Sequence, residues 1–383
     1  MADSGQRSPA AVSSDASPDL AELRDRVDAV DRAILEKLNE RARIVQSIGR
    51  VKAATGSPEY EPGRERQIVE TLCASNPGPF PREGIAPVFR EIISATRSLE
   101  RVLRVGYFGP EGTFTHQAAR QNFGQLADLA SCGSIADVFS ALERGRIDLG
   151  VVPVENTTEG VVTQTFDALA EHDVSICGEV ILRISQQLLS RSGRLDEVRR
   201  VISHPQPLAQ CRLWLDQHLP GIERIEAAST AVAAQRAAED GSLAAIGSAI
   251  AGEVYGLRTV EPAIEDRRDN TTRFAVLGRL APPPSGNDST CLLFTIRKDE
   301  AGALHRLLAP FAEQGLNLTS IQLRPIKGKP WEYLFFLDVE GHRSDPRLIK
   351  ALEGAARVAH TQRVLGSFPR AEAPRAARPG QGG

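Results

Sequence analysis

From Leu20 onward the apolar positions fall at Leu23, Val27, Val30, Ile34 and Leu38, then at Ile44, Val45, Ile48 and Val51. Spacings that alternate between three and four residues place them along one stripe of a helix. Asp19 follows Pro18 as an N-cap, and only Gly49 interrupts helix-forming residues before Thr55-Gly56. A periodic helix of this length belongs to a coiled coil or an extended bundle. Two more helices are expected over residues 64–74 and 85–101, separated by a Pro/Gly turn at 76–81. Two short partners cannot cover so long a stripe, which points to dimerisation.

At Leu103 the period changes. LRVGYF reads as a strand, GPEGTFT is a glycine-rich turn, and a helix opens near His116. RIDLGVVPVEN is a second strand, with its polar residues at the carboxyl end. Strand and helix patterns then alternate through VRRVISHP, LAQCRLWLDQHL, TAVAAQRAAE, LAAIGSAIAGEVYG and RFAVLGRL. The alternation predicts an α/β domain of largely parallel strands, with ligands bound where loops leave the strand carboxyl ends. After an APPPSGNDS linker, the segments from CLLFTIR to TQRVLGSF follow the order β-α-β-β-α-β, the ferredoxin-like arrangement. The expected organisation is a disordered tail over 1–18, a helical domain over 19–101, an α/β domain over 103–280, a ferredoxin-like domain over 290–368 and a second disordered tail over 370–383.

Composition narrows the function. In 383 residues, 46 Lys+Arg oppose 49 Asp+Glu, a formal net charge of -3 that makes no electrostatic case for nucleic acid. No apolar run approaches the ~18–20 residues needed to span a bilayer. The first residues lack an apolar segment and carry Asp3, Asp15 and Asp19, so neither a secretory nor an organellar leader is expected, and a cytoplasmic location is. Five scattered cysteines without a C-x-x-C pair read as reduced thiols with no metal framework.

The helical segment carries Arg24, Arg41 and Lys52 within or beside its apolar stripe. Arg41 and Lys52 nearly eclipse, roughly three turns apart on one face, whereas Arg24 is rotated by roughly 100° from that line. One helix cannot aim all three at one ligand; a site shared between subunits can. From periodicity alone they read more readily as solvated surface charges.

The wording LRDRVDAVDRAILEKLNERARIVQSIGRVK followed by YEPGRE resembles the AroQ-type chorismate mutase family over residues 19–101. The resemblance implies a site of Arg24 from a partner subunit with Arg41, Lys52, Arg64 and Glu65, and chorismate as substrate. Rearrangement to prephenate needs no nucleophile or proton shuttle, only a held conformer and charge stabilisation at the breaking ether oxygen. Bidentate arginines suit the substrate's two carboxylates, and Lys52 would donate to the ether oxygen. Where some family members carry Ser this chain has Thr96, and where some carry Gln it has Glu100. Only a protonated Glu can donate a hydrogen bond to an ether oxygen. Mutase activity is therefore expected to fall as pH rises through a raised Glu100 pKa; a flat profile that Glu100→Gln leaves unaltered rules this out.

GPEGTFT, which includes Thr113, can bind an anion through backbone N–H groups at a helix start. VPVENTTEG puts Glu155 and Asn156 just beyond a strand end. ISHPQPLAQC places Ser203, His204, Gln206 and Gln210 at a strand-to-helix junction, where His204 reads as a cap at least as readily as a catalyst. DNTTRF gathers Asn270, Thr272 and Arg273 before a strand. Each alone reads as a turn. Together with GSAIAGEVYGL, and in this order, they resemble the prephenate dehydratase family over residues 103–280. The resemblance implies a two-lobed α/β cleft like that of periplasmic binding proteins, with Thr272 as the threonine of the TRF motif. Dehydration needs a donor to the leaving hydroxyl and cationic or amide groups for the pyruvyl carboxylate. Thr272 is then a positioned donor or one end of a relay, and Glu155 could supply the proton if buried with a raised pKa. Arg273 could hold a carboxylate or pair with a structural acid. Thr113, Asn156, Ser203 and Gln210 complete the substrate-binding set.

The segment 290–368 resembles the ACT regulatory domain. Gly302, Ala303 and Leu304 stand at its first strand-to-helix turn, where family members bind phenylalanine between paired domains. Its second motif reads Gln322-Leu323-Arg324-Pro325, keeping the Arg324 and Pro325 of the family's Glu-Ser-Arg-Pro. The expectation is a multidomain α plus α/β enzyme that converts chorismate through prephenate to phenylpyruvate, with phenylalanine as effector, no cofactor or metal, and a homodimer or higher oligomer. The rivals are a dehydratase with a decayed mutase, an arogenate-preferring dehydratase, a purely dimerising ACT domain, and a non-catalytic amino-acid sensor.

Overall fold

The structure, a computed structural model, describes residues 19–56, 60–296, 301–326, 328 and 332–371. The expected tail over 1–18, and that over 372–383, lie outside the described residues.

Helix α1 (Leu20–Thr55) runs unbroken to Gly56, which closes it in the left-handed region at φ 66. Helices α2 (Pro62–Ser75) and α3 (Arg82–Arg97) follow. The third helix stops four residues short of its expected end, because Leu99 and Glu100 turn their N–H groups back to Thr96 and Arg97 at 3.2 and 2.9 Å. That turn brings the Glu100 side chain against α1. A Cβ on Gly49 would lie 2.8 Å from Glu100 Cγ, so the glycine that interrupts the helical pattern is what admits Glu100. No residue of α1 is buried; Val27, Val30, Ile34, Ile44 and Val51 are each 51–63% exposed, so one chain leaves the apolar stripe open.

The first α/β lobe comprises β1 (Arg104–Phe108), α4 (Phe114–Phe123), β2 (Asp128–Cys132), α5 (Ile135–Glu143), β3 (Leu149–Asn156), β4 (Gly160–Val161), α6 (Thr163–Glu171) and β5 (Ser175–Arg183). The chain crosses to a second lobe of β6 (Gln187–Ser190), β7 (Arg200–Ser203), α7 (Pro205–Gln210), α8 (Arg212–His218), β8 (Glu223–Glu226), α9 (Thr230–Glu239), β9 (Leu243–Gly247), α10 (Ala249–Tyr255) and β10 (Arg258–Glu261). It returns as β11 (Thr271–Gly278), which inserts between β3 and β5. The sheets are therefore mixed rather than largely parallel: β11 runs against both neighbours because it enters from the other lobe, and β6 runs against β9 and β10. The two crossings lie side by side, joined by Ile184 N to Asn270 O at 2.9 Å and Ile264 N to Gln186 O at 2.9 Å.

The last domain, β12 (Asp288–Ile296), α11 (Ala303–Glu313), β13 (Leu318–Pro325), β14 (Tyr333–Glu340), α12 (Pro346–Ala356) and β15 (Ala359–Pro369), forms an antiparallel sheet in the order β13-β14-β12-β15. One face packs Leu292, Phe294 and Leu337 on its own helices. The other contributes Cys291, Leu293, Phe336, Leu365 and Phe368 to the core of the first α/β lobe, where Phe336 meets Phe166 edge-on at 4.9 Å. A side chain at Gly366 would overlap the Ile176 carbonyl, so glycine lets β15 lie directly on β5. Arg370 and Ala371, expected in the second tail, are instead anchored: the Ala371 N–H donates to Glu179 at 2.6 Å, and Arg370 pairs with Glu340.

Tyr60, between α1 and α2, is 4% exposed and sits in the core of the first α/β lobe, 5.2 Å from the Phe123 ring. Its hydroxyl accepts from Asn122 at 3.0 Å. The Arg97 guanidinium lies 5.7 Å from both ring centroids and donates to the Phe123 carbonyl at 2.9 Å. The helical and α/β portions thus share apolar and polar contacts.

Candidate active sites

The three helices and the turn after α3 gather Arg41, Lys52, Glu65, Thr96 and Glu100. Arg41 donates to Thr96, whose hydroxyl in turn bonds the Ile92 carbonyl one turn back at 2.8 Å. Burial pulls the Arg41 pKa down, and Glu65 and Glu100 oppose that pull. Burial pushes the Glu65 carboxyl up, countered by Arg97, Lys52 and Arg41. Two residues that the sequence reading did not single out complete the set. Glu61 pairs with Lys52 at 2.7 Å, and the buried Arg97 pairs with Glu65 at 2.6 Å. The YEPGRE segment contains Glu61, one helical turn before Glu65, which is the signal that could have found it. Arg64 is not brought into the cluster: it is exposed and reaches Gln67 at 3.1 Å. Arg24 lies on the same helix roughly 25 Å from Arg41 at 1.5 Å per residue, beyond reach within one chain.

In the α/β domain β3 and β11 set Asn156 opposite Thr272. Asn156 Oδ1 accepts from the N–H groups of Thr158 and Glu159 at 2.9 and 3.0 Å, which fixes the amide. Its Nδ2 then donates to Asn270 Oδ1 at 2.8 Å and to Thr272 Oγ1 at 2.7 Å. Thr272 is 7% exposed, and with a lone pair so engaged its O–H is left to donate elsewhere.

Thr113 caps α4, accepting from His116 N at 3.3 Å. Ahead of it Gly112 has φ +84, and a Cβ there would lie 2.9 Å from the Tyr255 ring of the second lobe. Ser248 donates to the Gly112 carbonyl at 2.6 Å and Tyr255 to that of Glu111 at 3.1 Å. The GSAIAGEVYGL motif is thus the second lobe's grip on the glycine loop. Gln210 accepts from Gln186 at 3.2 Å beside the crossings, and Glu265 accepts from Gln186 N at 2.8 Å. His204 caps α7, accepting from Gln206 N at 3.4 Å.

In the α/β domain three expected site residues need correction. Successive strand residues point to opposite faces, so Glu155 and Arg273, paired in register, lie on the face opposite Asn156 and Thr272. The Glu155 side chain is also 41% exposed, which denies it the burial a catalytic acid would require. Arg273 takes the second of its two readings and pairs with an acid, Asp338, at 2.8 Å. Ser203 is fully buried and gives its hydroxyl to the Ile246 carbonyl at 2.7 Å inside the second sheet, so it buttresses the strand.

The chain matches the chorismate mutase type II family over residues 23–101, the prephenate dehydratase family over 105–282 and the ACT domain over 292–357. It is 45% identical over 357 residues to a bifunctional chorismate mutase/prephenate dehydratase of Aquifex aeolicus, covering 92% of this chain and 98% of the relative. The chain belongs to that bifunctional family. Among solved structures, prephenate dehydratase of Arthrobacter aurescens in complex with L-Phe is 34% identical, with a TM-score of 0.66 over 72% of this chain and 92% of that one. A structure described as a novel type of quorum-quenching acylase is 30% identical, with a TM-score of 0.65 over 70% of this chain and 98% of that one.

In this member of the bifunctional chorismate mutase/prephenate dehydratase family, Gly302 adopts φ 74 at the start of α11, Ala303 is buried and Leu304 exposed. Arg324, expected to bind the effector, is instead held by Asp167 of α6 through two hydrogen bonds of 2.9 and 3.1 Å. Its guanidinium thus bridges the two domains. Residues 297–300, just before the glycine turn, lie outside the described residues. Among the described residues no helix is long and apolar enough to cross a membrane.

Proposed function

We propose that this chain rearranges chorismate to prephenate among its three helices and converts prephenate to phenylpyruvate in the α/β cleft, with phenylalanine as feedback effector at the ACT domain. The observation that carries the dehydratase reading is the Asn156–Thr272 contact at 2.7 Å, in which the Thr272 oxygen accepts and its own hydrogen stays available to donate. As carbon dioxide leaves the ring carboxylate, the pair of the breaking C–C bond enters the ring and expels the hydroxyl, which takes up a proton from solvent and departs as water. A neutral Thr272 holds that departing oxygen by a hydrogen bond, positioned in advance, as transition-state stabilisation requires. The α4 N-terminus behind Thr113 offers free N–H groups to a carboxylate, and Gln210 adds an amide at the hinge.

For the rearrangement, Lys52 faces the ether oxygen and Arg41 a carboxylate, with Glu65 paired to Arg97. The uncovered stripe of α1 and the remoteness of Arg24 support a second copy of this chain as the partner that covers the stripe and supplies Arg24, in a cytoplasmic homodimer. One fold hosts several chemistries, so the deciding test is turnover. Purified protein is fed chorismate and, separately, prephenate, with and without phenylalanine. Phenylpyruvate from both, suppressed by phenylalanine, is the expected result. Turnover of prephenate alone would leave the mutase decayed, and turnover of neither with phenylalanine bound would make the chain a sensor.

A further inference from the structure

The buried Asp338 belongs to β14 of the ACT sheet, yet its carboxylate crosses the domain boundary to Arg273 at 2.8 Å. Arg273 follows Thr272 directly in the chain. Two further acids from the α/β lobe face the same guanidinium at longer range, Glu155 at 3.5 Å and Glu179 at 3.9 Å, and Glu179 already accepts from Ala371 N. Asp338 is therefore the close anchor.

The β11 backbone is held in regular register by β5 from Thr271 to Val276, but less regularly on its β3 side. Its ladder with β3 is irregular between Arg273 and Phe274, where β3 carries an extra residue, so regular pairing is interrupted immediately beside Thr272. The sheet that supplies Asp338 is itself firmly seated. Arg363 caps the end of α6 through the carbonyls of Leu169, Ala170 and His172 at 2.8, 3.1 and 2.9 Å. Arg324 grips Asp167 in the middle of the same helix.

We propose that Asp338, a residue of the regulatory domain, is a positioning residue for dehydration: acting through Arg273, it holds β11 so that the Thr272 hydroxyl meets the departing oxygen. The proposal rests on the reading of Thr272 as that donor. It makes the ACT domain part of the dehydratase apparatus rather than an appendage.

The test measures prephenate kinetics in Asp338→Asn, Arg273→Gln and the double variant, with chorismate consumption by the same chain as the control for folding. Asp338→Asn is expected to lower kcat by about tenfold or more, the scale of a small misplacement of a catalytic group. KM stays within about twofold, because the displaced group acts on the departing oxygen rather than on uniform binding, and chorismate consumption is unchanged. Since Asp338 acts only through Arg273, the double variant should be no slower than Arg273→Gln alone. An unchanged kcat in Asp338→Asn, or losses that multiply in the double variant, overturns the proposal. Should Asp338→Asn lose both activities, Arg273→Lys decides: a kcat recovered relative to Arg273→Gln supports the clamp, and no recovery overturns it. Thr272→Ala run alongside separates the two layers, since a retained rate there sinks the reading of Thr272, whereas a lost rate with a normal Asp338→Asn sinks only the clamp.

Discussion

Thr272→Ala is expected to lower phenylpyruvate formation from prephenate by at least about 10²–10³-fold, the effect of deleting one preorganised donor from a transition state. Chorismate consumption should continue at the parent rate. The separation follows from placement, because Thr272 sits at the head of β11 while the cationic cluster is built from α1, α2 and α3. The substitution leaves the fold nearly untouched. Asn156 loses one acceptor but keeps Asn270 at 2.8 Å, and a hydrogen bond of this kind contributes about 1 kcal/mol net. Following the two substrates and phenylpyruvate separately checks it; equal loss of both activities would contradict separate sites.

Lys52→Ala should do the reverse, slowing chorismate consumption by about 10²–10³-fold while added prephenate is still converted. Lys52 is the cation near the C-terminal end of α1, held by Glu61 at 2.7 Å with its side chain 20% exposed. That leaves the ammonium partly desolvated and able to turn toward an incoming oxygen. Removing it strips the charge that would stabilise the breaking ether bond, and no neighbour replaces it, since Arg41 is already engaged with Thr96. If Lys52→Ala handles chorismate normally, the mutase site lies elsewhere.

The periodicity of residues 20–55 carried the first helix and its open stripe, because amphipathic spacing is a local property of the chain. The short motifs likewise located Asn156, Thr272 and the α4 cap. Facing was harder to read. Glu155 and Asn156 are neighbours in sequence, as are Thr272 and Arg273, and only the paired strands show that each pair divides between two faces. The partner that claims Arg273 lies 65 positions away in another domain, so no local pattern points to it. The ion pair of Arg324 with Asp167 was hidden for the same reason, spanning 157 positions. Gly49 looked like a flaw in a helix and proved to be the space for Glu100.

Tyr60 carries a consequence for how this chain can vary over descent. Its codon lies on the mutase side of the boundary that motif matching draws, but its ring fills the dehydratase core against Phe123. A gene cut between the two activities would strip the second enzyme of a buried aromatic ring, a loss on the scale of about 3–5 kcal/mol, and would orphan the Asn122 amide with it. The two halves therefore share a core through this ring. Substitutions at Tyr60 are expected to lower the stability of the dehydratase core, part of an enzyme whose chemistry Tyr60 never touches.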